Sequence, residues 1–405
     1  MIKTEMMRYA FEHLRKRKKR SFLTVLSVAI GIAAVTTLIS FGMGISDYVN
    51  SFSEKMGKDK LIIQARGGAF GAPSLDSNVV LDEGDLEAVE KANGVMEATG
   101  VYVFSAEVKY NDQKKYTVGF GSDFKKHPKL LTEAYSLNVA EGQNIDGNDK
   151  TKVVLGHNYL IKDKIFSKPV SLRDKIKVNG KEFRVVGFYE AVGNPQDDSQ
   201  VYFTRDAAEE TFEQKSYRFI LARSAPGRDT TQIVSSIRKE LRDHRDQSSS
   251  NEDFFVQTFE QMIATFSLVL DAIVGVVVLV ALISVVVAGV NITNTMFAAI
   301  LERTKEIGVL KAIGSKNIDI LIIFVFESGL LSLVGGVFGV LTGYLIGVAA
   351  GKAVAAAGYA LFKPLFTWGL AAGSLLFAFL VGVLSGLIPA YRASQLKPVD
   401  ALHYE

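Results

Sequence analysis

Four stretches of this chain carry no charged side chain: Ser21 to Ser46, Ala272 to Leu301, Ser328 to Gly351 and Pro364 to Tyr391. Each reaches or exceeds the roughly 20 residues needed to cross bilayer hydrocarbon, so four transmembrane helices are predicted. The whole chain is 48% hydrophobic yet 22% charged, too greasy for a soluble protein and too charged for one that lies in lipid throughout. A mosaic follows. The first run exceeds the roughly 7 to 15 residue apolar core of a signal peptide, so it reads as an uncleaved anchor.

Lysine and arginine in the short flanks set the direction. Arg15, Lys16, Arg17, Lys18, Lys19 and Arg20 precede the first run; Arg303, Lys305, Lys311 and Lys316 separate the second from the third; Arg392 and Lys397 follow the fourth. All fall on one side, which places both termini in the cytoplasm of a multi-pass cell-membrane (plasma or inner membrane) protein and exports the long segment from Asp47 onward. The expected organisation is a basic amphipathic helix at 1–20, transmembrane helix 1 and stalk at 21–56, an exported domain at 57–257, and stalk plus transmembrane helix 2 at 258–301. A cytoplasmic helix at 302–317, a third span at 318–351, an external loop at 352–363, a fourth span at 364–391 and a cytoplasmic tail at 392–405 complete it. The net charge of +3 argues against a nucleic-acid partner, and a chain without cysteine has no disulfide, thiol chemistry or Cys-ligated zinc.

Beyond the first span, Ile45, Tyr48, Val49, Phe52 and Met56 recur at three and four residues, and before the second Phe259, Met262, Ile263, Phe266 and Leu270 do the same. A helix from Thr258 to Leu301 is about 65 Å long against roughly 30 Å of hydrocarbon, so both helices are expected to continue outside as a stalk with facing apolar seams. The exported segment reads as α+β. Strands are expected at Leu61–Ala65, around a turn at Asn111-Asp112 within Val101–Phe120, at Gln200–Thr204, Tyr217–Arg223 and Phe254–Gln257. Helices are expected at Asp82–Lys91, Arg205–Phe212 and Asp229–His244, with a type I′ hairpin at Lys175–Tyr189 turning on Asn179-Gly180 and a mobile glycine-rich loop at Gly67–Ser77. The fold class is thus an α-helical membrane protein with four transmembrane helices plus an α+β extracytoplasmic domain on a helical stalk.

Catalytic signals are missing. His13, His127, His157, His244 and His403 have no paired-ligand spacing, no GxSxG occurs, and the acidic turns at Asp197-Asp198 and Asp146–Asp149 lack a calcium-loop ladder. The Gly-Lys pairs at Gly57, Gly180 and Gly351 are followed by Asp, Glu and Ala, so no GxxxxGK[ST] loop exists to cradle a nucleotide. No cofactor is expected on the chain itself, and any energy must come from a partner.

Two features of the spans carry structure. Gly335, Gly339, Gly343, Gly347 and Gly351 form a four-residue repeat, a packing surface for another helix with a channel lining as the alternative. Glu327 is the one carboxylate well inside a span; snorkelling, a buried hydrogen bond and ion handling all fit it. Between spans two and three lies ERTKEIGVLKAIGS, Glu302 to Ser315. On a helix Ile307, Leu310 and Ile313 are expected to share a face, Arg303, Lys305 and Glu306 to present charges elsewhere, and Gly314 to end the helix in the left-handed conformation. Such a helix fits lipid or a cytoplasmic protein, although Glu302 and Glu306 are not what an anionic leaflet favours.

This segment resembles the signature loop of the MacB/FtsX/LolCE superfamily of ABC-transporter permeases. RSFLTVLSVAIGIAAV resembles the family's opening helix, FESGLLSLVGGVFGVLTG its third and PAYRASQLKPVDAL its closing motif, while NGVMEATGVYV, VAEGQNIDGNDKTKVVLGHNYL and VNGKEFRVVGFYE resemble its extracytoplasmic core domain. The resemblance implies a dimer of two permease copies bound to two copies of a cytoplasmic ATPase that holds ATP and magnesium. It makes Glu302 to Gly314 a coupling helix, with Glu302, Arg303, Lys305, Glu306, Ile307, Gly308, Leu310, Lys311 and Gly314 as coupling residues, and Pro389 to Leu402 close to the same partner. It further implies that motion is passed through the stalk to the outer domain, either to move an amphiphilic peptide, lipid or drug or to act on an extracytoplasmic adaptor or enzyme. Because the first span comes almost at once, the ATPase is expected on a separate subunit. ITNTM, Ile292 to Met296, departs from the more apolar stretch of many relatives, leaving Asn291 and Asn294 for hydrogen bonds between helices.

Overall fold

The apolar runs are helical, and the first three lie in helices longer than the runs. The computed structural model describes residues 18–57, 59–66, 79–145, 149–359 and 363–402, so the expectations for the basic helix at 1–17 and the loop at Gly67–Ser77 lie outside the described residues. Its helices are α1 (Lys18–Met56), α2 (Glu83–Lys91), α3 (Pro128–Tyr135), α4 (Thr230–Arg245), α5 (Phe259–Glu302), α6 (Thr304–Ala312), α7 (Asn317–Ala356), α8 (Trp368–Ser394) and α9 (Pro398–Leu402). Within α1, and across α5, α7 and α8, four helical segments are long and apolar enough to cross a membrane. Contacts divide the chain into two units. One holds 1–46, 269–354 and 362–405; the other holds 47–268 and 355–361.

The membrane unit packs through small residues. A Cβ on Gly335 would lie 2.7 Å from that of Val28, one on Gly339 2.7 Å from that of Ile32, and one on Gly343 2.9 Å from the Ala33 carbonyl oxygen, so α7 approaches α1 along this edge. Further along, Gly347 meets Phe366 and Gly351 meets Pro364, in the segment leading into α8. A second small-residue seam joins α7 to α8: Gly336 faces Ala378, Gly382 faces Ser332, and Gly386 faces Ser328. With no hydrophobic drive between helices in lipid, this close approach supplies the van der Waals contact that holds them. Hydroxyls add to it, with Thr24 and Thr295 bonded at 2.7 Å and Thr293 donating to the Ser385 carbonyl at 2.8 Å.

The other unit is built on one mixed sheet. Its strands are β1 (Lys60–Ala65), β2 (Val95–Tyr110), β3 (Gln113–Ser122), β4 (Val139–Gly142), β5 (Lys152–Leu155), β6 (Lys175–Val178), β7 (Lys181–Tyr189), β8 (Val201–Thr204), β9 (Phe219–Ser224) and β10 (Phe254–Thr258). The order is β10-β1-β9-β2-β3-β8-β5-β7-β4, with β6 pairing both β2 and β7 and so drawing the far half round on itself. Pairs β3·β8 and β5·β7 are parallel and the remainder antiparallel. The hairpins turn at Asn111-Asp112 (φ 44° and 62°) and Asn179-Gly180 (φ 47° and 83°), the pair of positive angles a type I′ turn needs. Helices α2 and α4 cover one core, around Leu61, Ile220 and Ile237; α3 covers another, around Leu130, Tyr202 and Leu221; the curled half encloses a third, around Phe183 and Phe203. Asp82 and Asp85 cap α2 reciprocally. The helix expected over Arg205–Phe212 is present, with the wider π-type hydrogen bonding at Ala207–Thr211.

Candidate functional site

The site is the turn between α5 and α7. Helix α5 ends at Glu302, Arg303 leaves helical geometry (φ −107°, ψ 14°), and α6 restarts at Thr304. It stops at Ala312, and Gly314 takes a φ of 103° with open space around it, so the chain reverses into α7. Along α6, Thr304, Ile307 and Gly308 are buried and Leu310 packs with the cluster around Ile300, Ile320 and Ala393. Lys305, Glu306, Val309 and Ile313 are exposed, Val309 by 51% and Ile313 by 76%.

Three residues stand elsewhere than the sequence predicts. Arg303 is not on the charged outer face; it is 5% exposed, and its Nη1 donates to Glu327 Oε2 of α7 at 2.9 Å. Lys311 also turns inward, its ammonium donating to the carbonyls of Ser394 (2.5 Å) and Leu396 (2.8 Å) at the end of α8, where the helix dipole favours a cation. Ile313 does not share a face with Ile307: six residues at about 100° each leave them some 120° apart. Glu327 is therefore a buried ion-pair partner, with side chains 5% and 6% exposed across the pair. Desolvating both charges is costly, and removing either one leaves the other buried without that counter-charge. The opposite signs were visible in the sequence, but 24 residues of separation across a turn gave no periodicity to join them.

The other sequence-predicted residues divide. All five repeat glycines are buried at close contacts. Asn291 donates through Nδ2 to Ser27 Oγ on α1 at 3.0 Å, while exposed Asn294 lines a shallow groove of about 430 Å³ with Leu23, Ser27 and Ala298. Of the expected stalk seam, Phe259, Met262 and Ile263 pack onto the sheet core around Phe120, Tyr202 and Leu221 rather than forming a stripe of their own. Ile45, Tyr48 and Val49 are half-buried, and the side chains of Phe52 and Phe266 lie outside the described residues. Sequence reasoning missed an apolar groove of about 480 Å³ between α5, α6 and α8, where Arg392 lies 5.2 Å over the Phe297 ring. Among the described residues one cluster, Asp82, Asp85 and His244, has metal-like spacing, but Arg245 already holds Asp85 at 2.6 and 2.8 Å.

Residues 21–240 match the family model of the MacB-like periplasmic core domain, and residues 258–398 that of the FtsX-like permease C-terminal region. An uncharacterized ABC transporter permease of Methanocaldococcus jannaschii is 35% identical, over 98% of this chain and 97% of its own. The uncharacterized ABC transporter permease YknZ of Bacillus subtilis is 24% identical, over 99% of both chains. The macrolide export ATP-binding/permease protein MacB of Chromobacterium violaceum is 29% identical over 99% of this chain, which spans 61% of that longer protein.

Proposed function

The chain belongs to the MacB- and FtsX-like family of ABC transporter permeases, and on that premise we propose that it is a mechanotransmitting permease subunit. A separate ABC ATPase, carrying ATP and magnesium, docks on α6 from the cytoplasm, where both termini also lie. Its closure displaces the membrane helices, and the sheet domain outside the membrane exports or extracts an amphiphilic molecule of the peptide, lipid or drug class. A second copy of the chain completes the assembly within membrane lipid, and an external adaptor or enzyme meets the sheet domain. Matches to ABC transporter permeases over 97% and 99% of those chains' own length support a separate ATPase.

The observation that carries the docking assignment is the outer face of α6, where Val309 and Ile313 are exposed beside Lys305 and Glu306. Burying each aliphatic side chain against a partner contributes roughly 1.5–3 kcal/mol, whereas an exposed ion pair contributes about 0–1 kcal/mol. The apolar pair therefore supplies most of the affinity and the charges set register. Val309→Asp with Ile313→Asp is expected to strip the ATPase from the purified complex while membrane insertion is unchanged; Lys305→Glu weakens it by about tenfold or less. Full retention of the ATPase by the double variant would remove the assignment.

A second reading, a regulator that switches an external enzyme without transport, draws on the FtsX-like match over 258–398. Reconstituted vesicles separate the two: ATP-dependent release of a membrane-partitioned dye supports transport, and a change confined to the activity of an added external enzyme supports regulation.

A further inference from the structure

Helix α6 is gripped at both ends. At its start the Arg303 guanidinium is buried against Glu327 of α7, 2.9 Å away. Near its finish the Lys311 ammonium holds the carbonyl oxygens of Ser394 and Leu396, which belong to the last turn of α8 and the residues just beyond it. Its own chain continues α5 with only Arg303 between them. One nine-residue helix is thus tied to three of the four spans, once through a buried ion pair at its N-cap and once through a half-buried ammonium.

We propose that Arg303, Glu327 and Lys311 form a two-point clamp that makes the docking helix one body with α7 and α8, so that a push on α6 moves these spans together rather than bending α5 alone. This rests on the docking reading above and assigns the three residues a positioning role in place of contact with the ATPase. The chemistry suits the task. A surface pair would yield under load, whereas the desolvated ion pair has no water to exchange with, and the half-buried ammonium is held by two converging carbonyls at once.

The test reads motion at the far end of α8. Trp368, its first residue, is 92% exposed and stands at the other end of a 27-residue helix from Ser394, about 40 Å away along it. The chain has no cysteine, so Trp368→Cys accepts a single bimane label before assembly with the co-purifying ATPase in nanodiscs. ATP with vanadate is expected to shift the emission of the otherwise native complex. In Arg303→Met with Glu327→Met, which removes both charges at similar volume, and separately in Lys311→Met, that shift falls about fivefold or more while bound ATPase and its hydrolysis rate stay within about twofold. Arg303→Lys keeps the charge and retains most of the shift. A full shift in both Met variants overturns the clamp, as does loss of the ATPase from them, which would return these residues to the docking face. Failure of the ATPase to bind the otherwise native chain strikes the docking reading instead, and a bound but motionless native complex removes mechanotransmission and the clamp with it.

Discussion

At the scale of single residues the burial of charge decides most. Arg303→Ala is expected to cost about 3–5 kcal/mol, because it leaves the Glu327 carboxylate buried without that counter-charge, and Arg303→Met with Glu327→Met much less; thermal unfolding in detergent ranks the two. The sequence showed that Glu327 was out of place in a span, and physics alone left its partner open. Lys311 was harder still, since its acceptors are backbone carbonyls and backbone leaves no trace in residue type. In the sheet domain Asp149 makes a different case. Hydrogen bonds, first from the Thr151 hydroxyl and then from Lys152 and the Thr151 amide, hold its carboxyl down to about 2, against partial desolvation. A depressed folded-state value means stabilisation that is present above the ordinary carboxylate range and lost as pH falls toward 2. Asp149→Asn should therefore lower the unfolding midpoint at pH 6 and have no effect near pH 2, followed by circular dichroism.

Among elements, packing at close range gives the sharpest contrast. A methyl on Gly339 would sit 2.7 Å from the Ile32 Cβ and 2.8 Å from the Ala29 carbonyl oxygen, whereas one on Gly373 meets nothing within 4 Å. Gly339→Ala is thus expected to destabilise by about 1–3 kcal/mol through overpacking, while Gly373→Ala gains up to about 1 kcal/mol of helix propensity; the same melting experiment reads both. The glycine repeat was legible because α7 carries it at a fixed period. Its counterpart on α8 was not, because Ala378, Gly382 and Gly386 there work with Gly336, Ser332 and Ser328 of α7, a mixture of residue types rather than a uniform run. In the sheet domain the turns at Asn111 and Asn179 announced their hairpins, since few residues other than Gly, Asn and Asp accept positive φ. Helix α3 and the first part of β2 went unread. The former starts at Pro128 with no side-chain cap bond from His127, and the latter runs through Gly100, a strand breaker by propensity that here makes room for the Tyr217 ring.

For the whole molecule, the spans could be read from hydropathy alone, and the direction in which they run rests on the asymmetry of lysine and arginine. Direction is also what the proposed mechanism most depends on, because an ATPase reaches α6 only if that helix and the sheet domain lie on opposite sides of the bilayer. Two positions of nearly equal exposure make the test clean: Tyr116 on β3 is 74% exposed and Ile313 at the end of α6 is 76% exposed. In a chain with no native cysteine, Tyr116→Cys and Ile313→Cys each offer one thiol. With accessibility matched, a membrane-impermeant maleimide applied to sealed right-side-out vesicles reports side and nothing else. Tyr116→Cys is expected to label at once. Ile313→Cys should stay unlabelled until the vesicles are permeabilised, and then react more slowly when the ATPase is bound, since the partner would cover it. Labelling of both in sealed vesicles would place α6 and the sheet domain on one side, and no cytoplasmic motor could then drive the sheet domain through this helix.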